Sequence, residues 1–195
     1  MDKDHHILEQ VRKGDHQAFS ELVTRHQKTL LRVVLRMTRD TSLAEDVVQE
    51  AFMKAFEKID SFQGRSTFKS WLCQIGVNTA RNKLRSMKRI HVDYENLNLS
   101  YNSHQEDDVA IMDLRSIINA EVGKLPNKQR TALSLRIFED MSFAEIAEVM
   151  SCPYDTAKAN YRHGLLKLKD RLGENLNLEL WKQFQHRKEV AGVDL

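Results

Sequence analysis

Residues that interrupt helices are scarce along this chain. Only two prolines and seven glycines occur among its 195 residues, which is well below the roughly 5% proline and 7% glycine of average proteins. Between these breaks, apolar residues recur every three or four positions, the spacing of one helix face. Because 41% of the residues are hydrophobic, a chain of this length can bury a core. The sequence therefore predicts an all-α protein.

Capping residues predict where the helices of the first half begin. A short first helix is expected to stop at Gly14, and the Asp15 carboxylate can then cap a second helix. Ser42 and a glutamate three positions later have the spacing of a capping box, which predicts the start of a third helix. Ser66 is a candidate cap for a long fourth helix that runs to about Arg89.

The second half contains a short helix, a tight turn and a basic helix. Ser142 and Glu145 have capping-box spacing, and Pro153 interrupts the helix that they begin. Asp155 can cap the next helix, which is expected to end near residue 172. Two helices joined in this way match a helix-turn-helix, which lays its second helix in the DNA major groove. On this segment alone, an ordinary helical hairpin is the alternative.

Charge is distributed unevenly, although the net charge is only +2. No acid lies between Asp60 and Asp93, whereas seven Lys and Arg residues do, and such a stretch attracts phosphate. Residues 91–113 hold six acids and no Lys or Arg. Their polar composition is typical of a flexible acidic linker. We therefore expect two small helical domains, residues 1–90 and 111–195, joined by a linker at 91–110, with the helix-turn-helix in the second domain.

Other classes of protein find little support in the sequence. No apolar run approaches the roughly 18 residues of a membrane span, and the N-terminus lacks a signal-peptide core, so we expect a cytoplasmic protein. Cys73 and Cys152 are far apart, which argues against a disulfide framework or zinc site and favours two small buried side chains. We expect no metal, no cofactor and no catalytic residue, hence no enzyme; a metal-dependent nuclease is the alternative that a chelator would test.

Several segments, in this order and spacing, resemble a known family. In the first half these are GDHQAF at 14–19, AEDVVQEAF at 44–52, FQGRSTFKSWL at 62–72 and NTARN at 78–82. In the second half they are LPNKQR at 125–130, EIAE at 145–148 and TAK at 156–158. They closely resemble regions two and four of extracytoplasmic-function sigma factors, of the sigma-70 family.

The resemblance covers about residues 7–172 and implies a promoter-specificity subunit. Such a protein binds RNA polymerase core, recognises the minus-ten and minus-thirty-five promoter elements, and initiates transcription. A stand-alone helix-turn-helix regulator is the alternative, but it leaves the ordered motifs of the first domain unexplained. An anti-sigma factor is left open as a further partner. The acidic linker would act either as a nucleic-acid mimic in the polymerase cleft or as a plain tether.

The resemblance also implies roles for three groups of residues. An acidic and amide-rich helix face would bind polymerase core: Asp46, Gln49, Glu50 and Met53. A loop and the helix after it would bind the minus-ten element: Phe62, Gly64, Arg65, Ser66, Asn78, Arg81, Asn82, Lys83 and Arg85. The last helix would read the minus-thirty-five element: Thr156, Lys158, Ala159, Arg162 and His163.

Two features leave these assignments open in part. The rings of Phe62, Phe68 and Trp71 would either stack on bases or belong to the core, and for Phe68 and Trp71 we expect the core. The sequence departs from the usual family pattern at Ala159 and Asn160 and at residues 162–164. The promoter sequence is therefore not predicted.

Overall fold

The computed structural model describes residues 4–90 and 117–173. All regular structure in these two segments is helical, as predicted, and no strand occurs in them. The helices are α1 (His5–Arg12), α2 (Phe19–Thr38), α3 (Thr41–Glu57), α4 (Phe68–Ile90), α5 (residues 117–123), α6 (Asn127–Glu139), α7 (Phe143–Met150) and α8 (Tyr154–Gly173). The predicted linker at 91–110 and the tail after residue 173 lie outside the described residues.

The first group of helices is built around α2, α3 and α4, which pack on one another in pairs. Leu22, Val34, Val47 and Phe68 are fully buried in the core that these helices share. Gly76 permits close packing of α4 on α2, because an added Cβ would lie 2.6 Å from Leu30 Cδ1. These contacts hold α3 and α4 side by side.

Helix α1 is held against α2 by polar contacts. The buried Asp4 carboxylate accepts a hydrogen bond from Arg25 at 2.6 Å and contacts His26 Nε2 at 2.7 Å. At the other end, Arg12 donates to the carbonyls of Ile59 and Phe62. The N-terminal helix thereby supports the loop that precedes α4.

The second group is formed by α5 to α8. Ile118, Leu133 and Leu168 belong to its central apolar cluster. The buried guanidinium of Arg130 donates to the carbonyls of Gly123 at 2.7 Å and Met37 at 3.1 Å. Burial, with a further contribution from the charge of Arg39, lowers the pKa of Arg130 to about 10. Since Met37 belongs to α2, this side chain also links the two groups.

Some of the predicted helix starts are confirmed. The Asp15 carboxylate accepts from the amides of Gln17 and Ala18 and begins a short 3-10 helix that leads into α2. Ser142 and Glu145 form both bonds of the predicted capping box at the start of α7. Gly14, with a φ of 98°, follows the first helix as expected.

Three other predicted caps are wrong by one or two residues. Asp40, rather than Ser42, caps α3 by accepting from the Leu43 amide at 2.9 Å. Thr67, rather than Ser66, caps α4 by accepting from the Ser70 amide at 3.2 Å. Asp155 lies inside α8, which already begins at Tyr154. In each case a nearby residue can also cap the helix or begin it without a side-chain cap. The local sequence therefore does not decide which residue begins the helix.

The two groups of helices pack against each other. Helix α4 contacts α7, and α2 contacts α6. One continuous apolar cluster includes Val34 and Leu72 of the first group and Leu135 and Ile146 of the second. The sequence did not predict this arrangement.

Both cysteines are free thiols. Cys73 is fully buried, as predicted, and burial raises the pKa of its thiol to about 12. Cys152 is only half-buried, so the prediction of a buried side chain is wrong for this residue. It lies in the turn between α7 and α8, which is partly open to solvent.

Candidate nucleic-acid interface

Helices α7 and α8 have the geometry of a helix-turn-helix. Ser151 adopts a left-handed conformation with a φ of 51° at the end of α7, and α8 begins after Pro153. The ring of Phe143 on α7 packs against Tyr154 and Tyr161 of α8, with centroids 6.3 and 5.3 Å apart. These aromatic contacts hold α8 at a defined angle to α7 and fix which face α8 presents outward.

The outward face of α8 carries the residues expected to read the minus-thirty-five element. All five side chains are exposed: Thr156, Lys158, Ala159, Arg162 and His163. The opposite face is buried through Ala157, Leu168 and Leu172. An exposed surface with both basic and small side chains suits contact with phosphates and base edges.

Two of the residues in α8 that depart from the family pattern make local contacts. The Asn160 amide donates to the Thr156 carbonyl at 2.8 Å, within the same helix. Gly164 lies where α8 approaches α6, because an added Cβ would be 3.2 Å from Leu133 Cδ1 and 3.3 Å from the Gln129 carbonyl. These two residues do not change the character of the outward face. Its exposed side chains from Thr156 to His163 are mostly polar or basic.

The loop before α4 is shaped by Gly64, whose φ of 70° favours glycine. Arg65 is exposed and Ser66 is half-buried beside it. The ring of Phe62, however, is only 7% exposed and packs against Phe68 and Trp71, with centroids 6.0 and 5.1 Å apart. Of the two alternatives for this ring, the structure therefore places Phe62 in the core, and no contact of its ring with DNA is tested by this structure.

The predicted minus-ten residues on α4 fall into two sets. Asn82 and Arg85 are exposed. Asn78 and Arg81 instead contact the end of α7: Asn78 lies 3.5 Å from Ser151 Oγ, and Arg81 donates to the Met150 carbonyl at 3.0 Å. Asn78 is half-buried by this contact, whereas Arg81 remains exposed.

Lys83 and Glu50 are paired with each other, although the sequence assigned them to different partners. Glu50 Oε2 lies 3.0 Å from Lys83 Nζ, and Glu50 Oε1 accepts from Lys54 at 2.5 Å. Lys54 also contacts Thr79 at 3.3 Å. The hydrogen bonds from Lys54 and Lys83 hold the pKa of the Glu50 carboxyl below its ordinary value.

The rest of the predicted polymerase-binding face is open. Asp46 and Gln49 are exposed, and Met53 has 65% of its surface exposed. Phe56, one turn further along α3, adds a partly exposed aromatic ring. An apolar patch bordered by an acid and an amide is the composition expected of a protein-binding surface.

Sequence reasoning missed Glu139, which is buried where the two groups meet. Its carboxylate accepts from Arg32, with oxygens 3.2 and 3.4 Å away, and lies 3.5 Å from Arg36. Its position four residues after the buried Leu135 could have drawn attention to it, since a charge on the apolar face of a helix needs a partner.

Two findings concern sites of other kinds. Within residues 4–90 and 117–173, no three His, Cys, Asp or Glu side chains are grouped so as to hold a metal ion. Among the helices of the same segments, none combines the length and apolar character that crossing a membrane demands.

Comparison with known families identifies both halves. Residues 22–90 match the family model described as Sigma-70 region 2, and residues 115–168 match Sigma-70, region 4. The RNA polymerase sigma-H factor of Pseudomonas aeruginosa is 35% identical over 171 residues, which cover 82% of this chain and 88% of the relative. The ECF RNA polymerase sigma-E factor of Escherichia coli K12 is 37% identical over 164 residues, covering 78% and 85%.

Solved structures share the fold. CnrH in complex with the cytosolic domain of CnrY covers 90% of this chain and 100% of its own, with a TM-score of 0.66 and 24% identity. The sigma factor RpoE of Bartonella quintana, in complex with the anti-sigma factor NepR, covers 81% and 98%, with a TM-score of 0.67 and 23% identity. With two matched regions in the expected order and relatives above 30% identity over most of their length, this chain belongs to the sigma-70 family, as an RNA polymerase sigma factor of the extracytoplasmic-function type.

Proposed function

We propose that this chain directs RNA polymerase core to promoters by reading two DNA elements with its two helical domains. The observation that carries the proposal is the outward face of α8, on which all five predicted reading residues are exposed while Ala157, Leu168 and Leu172 are buried. In this proposal Arg162 pairs with a guanine edge, and Lys158 and Thr156 contact phosphate or neighbouring bases. Ala159 and His163 complete the reading surface.

The minus-ten element is proposed to bind the loop at Gly64 and the exposed side of α4. Arg65, Arg85 and Lys83 supply positive charge for phosphates, and Ser66 and Asn82 supply groups for base edges. Arg81, which is exposed, and Asn78, which is half-buried, extend this surface along α4. Capturing splayed bases can offset unstacking costs of a few kcal/mol per step, so DNA opening needs no ATP chemistry in this chain.

Polymerase core is proposed to bind the outer face of α3. Met53 offers an exposed apolar contact, and Asp46 and Gln49 offer a charge and an amide beside it. Glu50 contributes through its carboxylate only if the partner competes with Lys54 and Lys83 for it. This arrangement favours a partner surface with an apolar groove and basic residues along its edge.

Location and regulation follow from this role. A subunit of bacterial RNA polymerase works in the cytoplasm and acts by recognition, so we propose a cytoplasmic protein without catalytic residues of its own. One of the solved structures contains CnrH with the cytosolic domain of CnrY, and the other contains RpoE with the anti-sigma factor NepR. On this basis, the proposal includes an anti-sigma factor as a further partner of this chain.

The direct test of the proposed function is transcription in vitro. Core polymerase with this chain, supplied with a library of randomised promoters, should produce transcripts whose start sites share two upstream elements. Core polymerase alone is the control. Transcripts without any shared element, or no difference from core alone, would contradict the proposal.

The polymerase-binding face has its own test. Gln49→Ala combined with Met53→Ala should weaken binding to core in a pull-down titration, while Glu57→Ala, an exposed change at the end of the same helix, should not. Glu50 is left intact because its pairing with Lys83 would confound the result. Equal core affinity of the parent and the double variant would remove this face from the proposal.

A further inference from the structure

Asp155 is an exposed acidic residue in the first turn of α8. Its carboxylate is not the cap of this helix, which already begins at Tyr154. Within residues 4–90 and 117–173, the carboxylate forms no hydrogen bond or ion pair, not even with Lys158 one turn further along α8. The charge of Asp155 is therefore available to a partner.

Asp155 lies on the same side of α8 as the proposed reading residues. Ala159 follows it by one turn and Arg162 by two turns, so the three side chains form one row along the helix. Gly164 comes about two and a half turns after Asp155 and therefore marks the opposite side. That side is buried where α8 approaches α6. The row that begins at Asp155 thus faces away from the core of the second domain.

Packing on both sides of Asp155 fixes where this row begins. Tyr154, although 51% exposed, packs its ring against Phe143 of α7. The guanidinium of Arg136 lies over the same Phe143 ring, 5.1 Å from its centroid. Ala157, two positions after Asp155, is fully buried. Because the residues before and after it are held in this way, the backbone position of Asp155 is set by the fold.

A carboxylate in the major groove discriminates between bases because it only accepts hydrogen bonds. Cytosine presents the amino group N4, which donates to Asp or Glu. Guanine presents the two acceptors N7 and O6, and thymine presents the acceptor O4 beside a methyl group, so neither base offers a donor. Adenine presents the donor N6 next to the acceptor N7, which weakens its contact with a carboxylate. An acid on the reading face therefore favours cytosine.

We propose that Asp155 is a specificity-determining residue that selects cytosine at one position of the minus-thirty-five element. The inference rests on the proposed function, in which α8 enters the major groove with its N-terminal residues at the base edges. Asp155 and Arg162 are separated by about 10 Å along the helix axis, at 1.5 Å per residue, which corresponds to about three base pairs. The element therefore contains a cytosine contacted by Asp155 and, about three base pairs away on either strand, a guanine contacted by Arg162.

The test is promoter selection with RNA polymerase core, the full chain and a library with a randomised minus-thirty-five element. The parent should select cytosine over guanine and thymine at one position by about tenfold. Asp155→Ala should lose this preference, because alanine has no acceptor. Asp155→Asn should transfer it to adenine, because an asparagine amide pairs with both N6 and N7 of that base. In both variants, the guanine contacted by Arg162 should remain selected.

The matched control is Asp170→Asn, which makes the same change of charge at an exposed residue of the same helix. Asp170 is about 22 Å from Asp155 along the helix axis, so its replacement should leave the parental consensus unchanged. Any general gain in affinity from the loss of a negative charge should occur in both Asn variants. An acid in the first turn also stabilises its helix through the helix dipole. That effect does not distinguish one base from another, whereas a switch to adenine does.

The outcomes separate this inference from the proposed function. If Asp155→Asn and the parent select the same base at every position, with only a uniform change in affinity, the inference is overturned and Asp155 is merely a charge near the phosphates. A parental element without cytosine near the guanine contacted by Arg162 would also overturn it, while the proposed function would stand. Parental transcripts that share no upstream element would overturn the proposed function, and this inference with it.

Discussion

Single residues of this chain serve two surfaces at once. Glu50 belongs to the face proposed for polymerase, yet its carboxylate is paired with Lys83 of the proposed DNA surface. A change such as Glu50→Lys would place three cations together, because Lys54 is also in contact. Its effect would mix lost polymerase binding with altered DNA binding and local repulsion. The effect of a substitution at Arg162 is easier to interpret, because its side chain is exposed on the outward face of α8.

At Arg162, replacement by alanine should change which sequences are read. If the guanidinium pairs with a guanine through two hydrogen bonds, Arg162→Ala should relax the preference at one minus-thirty-five position at a cost of about 1–3 kcal/mol. Selection on a promoter library with core polymerase would measure this. Lys169→Ala, an exposed change almost two turns further along α8, is the control and should at most weaken binding evenly across sequences. The parental consensus with uniformly reduced binding would reassign Arg162 to the DNA backbone.

Among the helices, the crossing of α2 and α4 depends on one missing side chain. In Gly76→Ala, the new Cβ would lie 2.6 Å from Leu30 Cδ1, and Leu30 is fully buried. We expect a loss of about 1–3 kcal/mol in the free energy of unfolding, because overpacking outweighs the gain in helix propensity of roughly 1 kcal/mol. Urea denaturation followed by circular dichroism would measure it.

The control for this crossing is Gly123→Ala. An added Cβ there would meet only Arg39 Nε, at 4.0 Å, so its stability should be unchanged or slightly higher. Equal effects of the two substitutions would show that α2 and α4 have more space at their crossing than the structure gives them.

The capping box of α7 should make stability depend on pH. Burial tends to raise the pKa of Glu145, but hydrogen bonds from Ser142 and Ser70 and the charge of Lys69 leave it below its ordinary value of 4.5. Because the folded-state pKa is lowered, the stabilisation is complete above pH about 4.5 and is lost as the pH falls through the folded-state value.

Glu145→Gln tests this dependence. The parent should have a higher Tm than the variant near neutral pH, and the difference should shrink as the pH falls toward 3, where the parent carboxyl becomes protonated. Glu148→Gln on the same helix should change Tm less, because Glu148 contacts α4 through its backbone carbonyl. A difference between parent and Glu145→Gln that stayed constant across this range would contradict the role of the charge.

Helix positions were predictable from the sequence to within a few residues, whereas their first residues often were not. Asp15 and Ser142 were both confirmed as caps. Residues 40–42, however, read Asp-Thr-Ser, and residues 66 and 67 read Ser-Thr. Adjacent residues of similar capping ability compete, and tertiary packing of the following helix decides which one is used.

For the whole molecule, the sequence predicted the composition of the surfaces but not which of them are covered. The exposed face of α8 followed from periodicity, because Leu168 and Leu172 mark the opposite side. The burial of Phe62 and the contact of α7 with α4 depend on residues distant in sequence. A basic helix face looks the same in sequence whether DNA or the acidic side chains of another domain lie against it.

Binding to promoter DNA should therefore depend on polymerase core. The free chain offers duplex DNA the outward face of α8 and a few exposed side chains of α4, so we expect weak binding that falls steeply with salt and discriminates little between sequences. With core polymerase, both elements become reachable and site selection should be strong. Fluorescence anisotropy at several salt concentrations, with and without core, would measure both states.

Moving the two elements apart by about five base pairs, half a helical turn, should weaken the complex with core but leave the free chain unaffected. Nanomolar, sequence-specific binding by the free chain near physiological salt would contradict this prediction, since one exposed helix would then suffice for recognition.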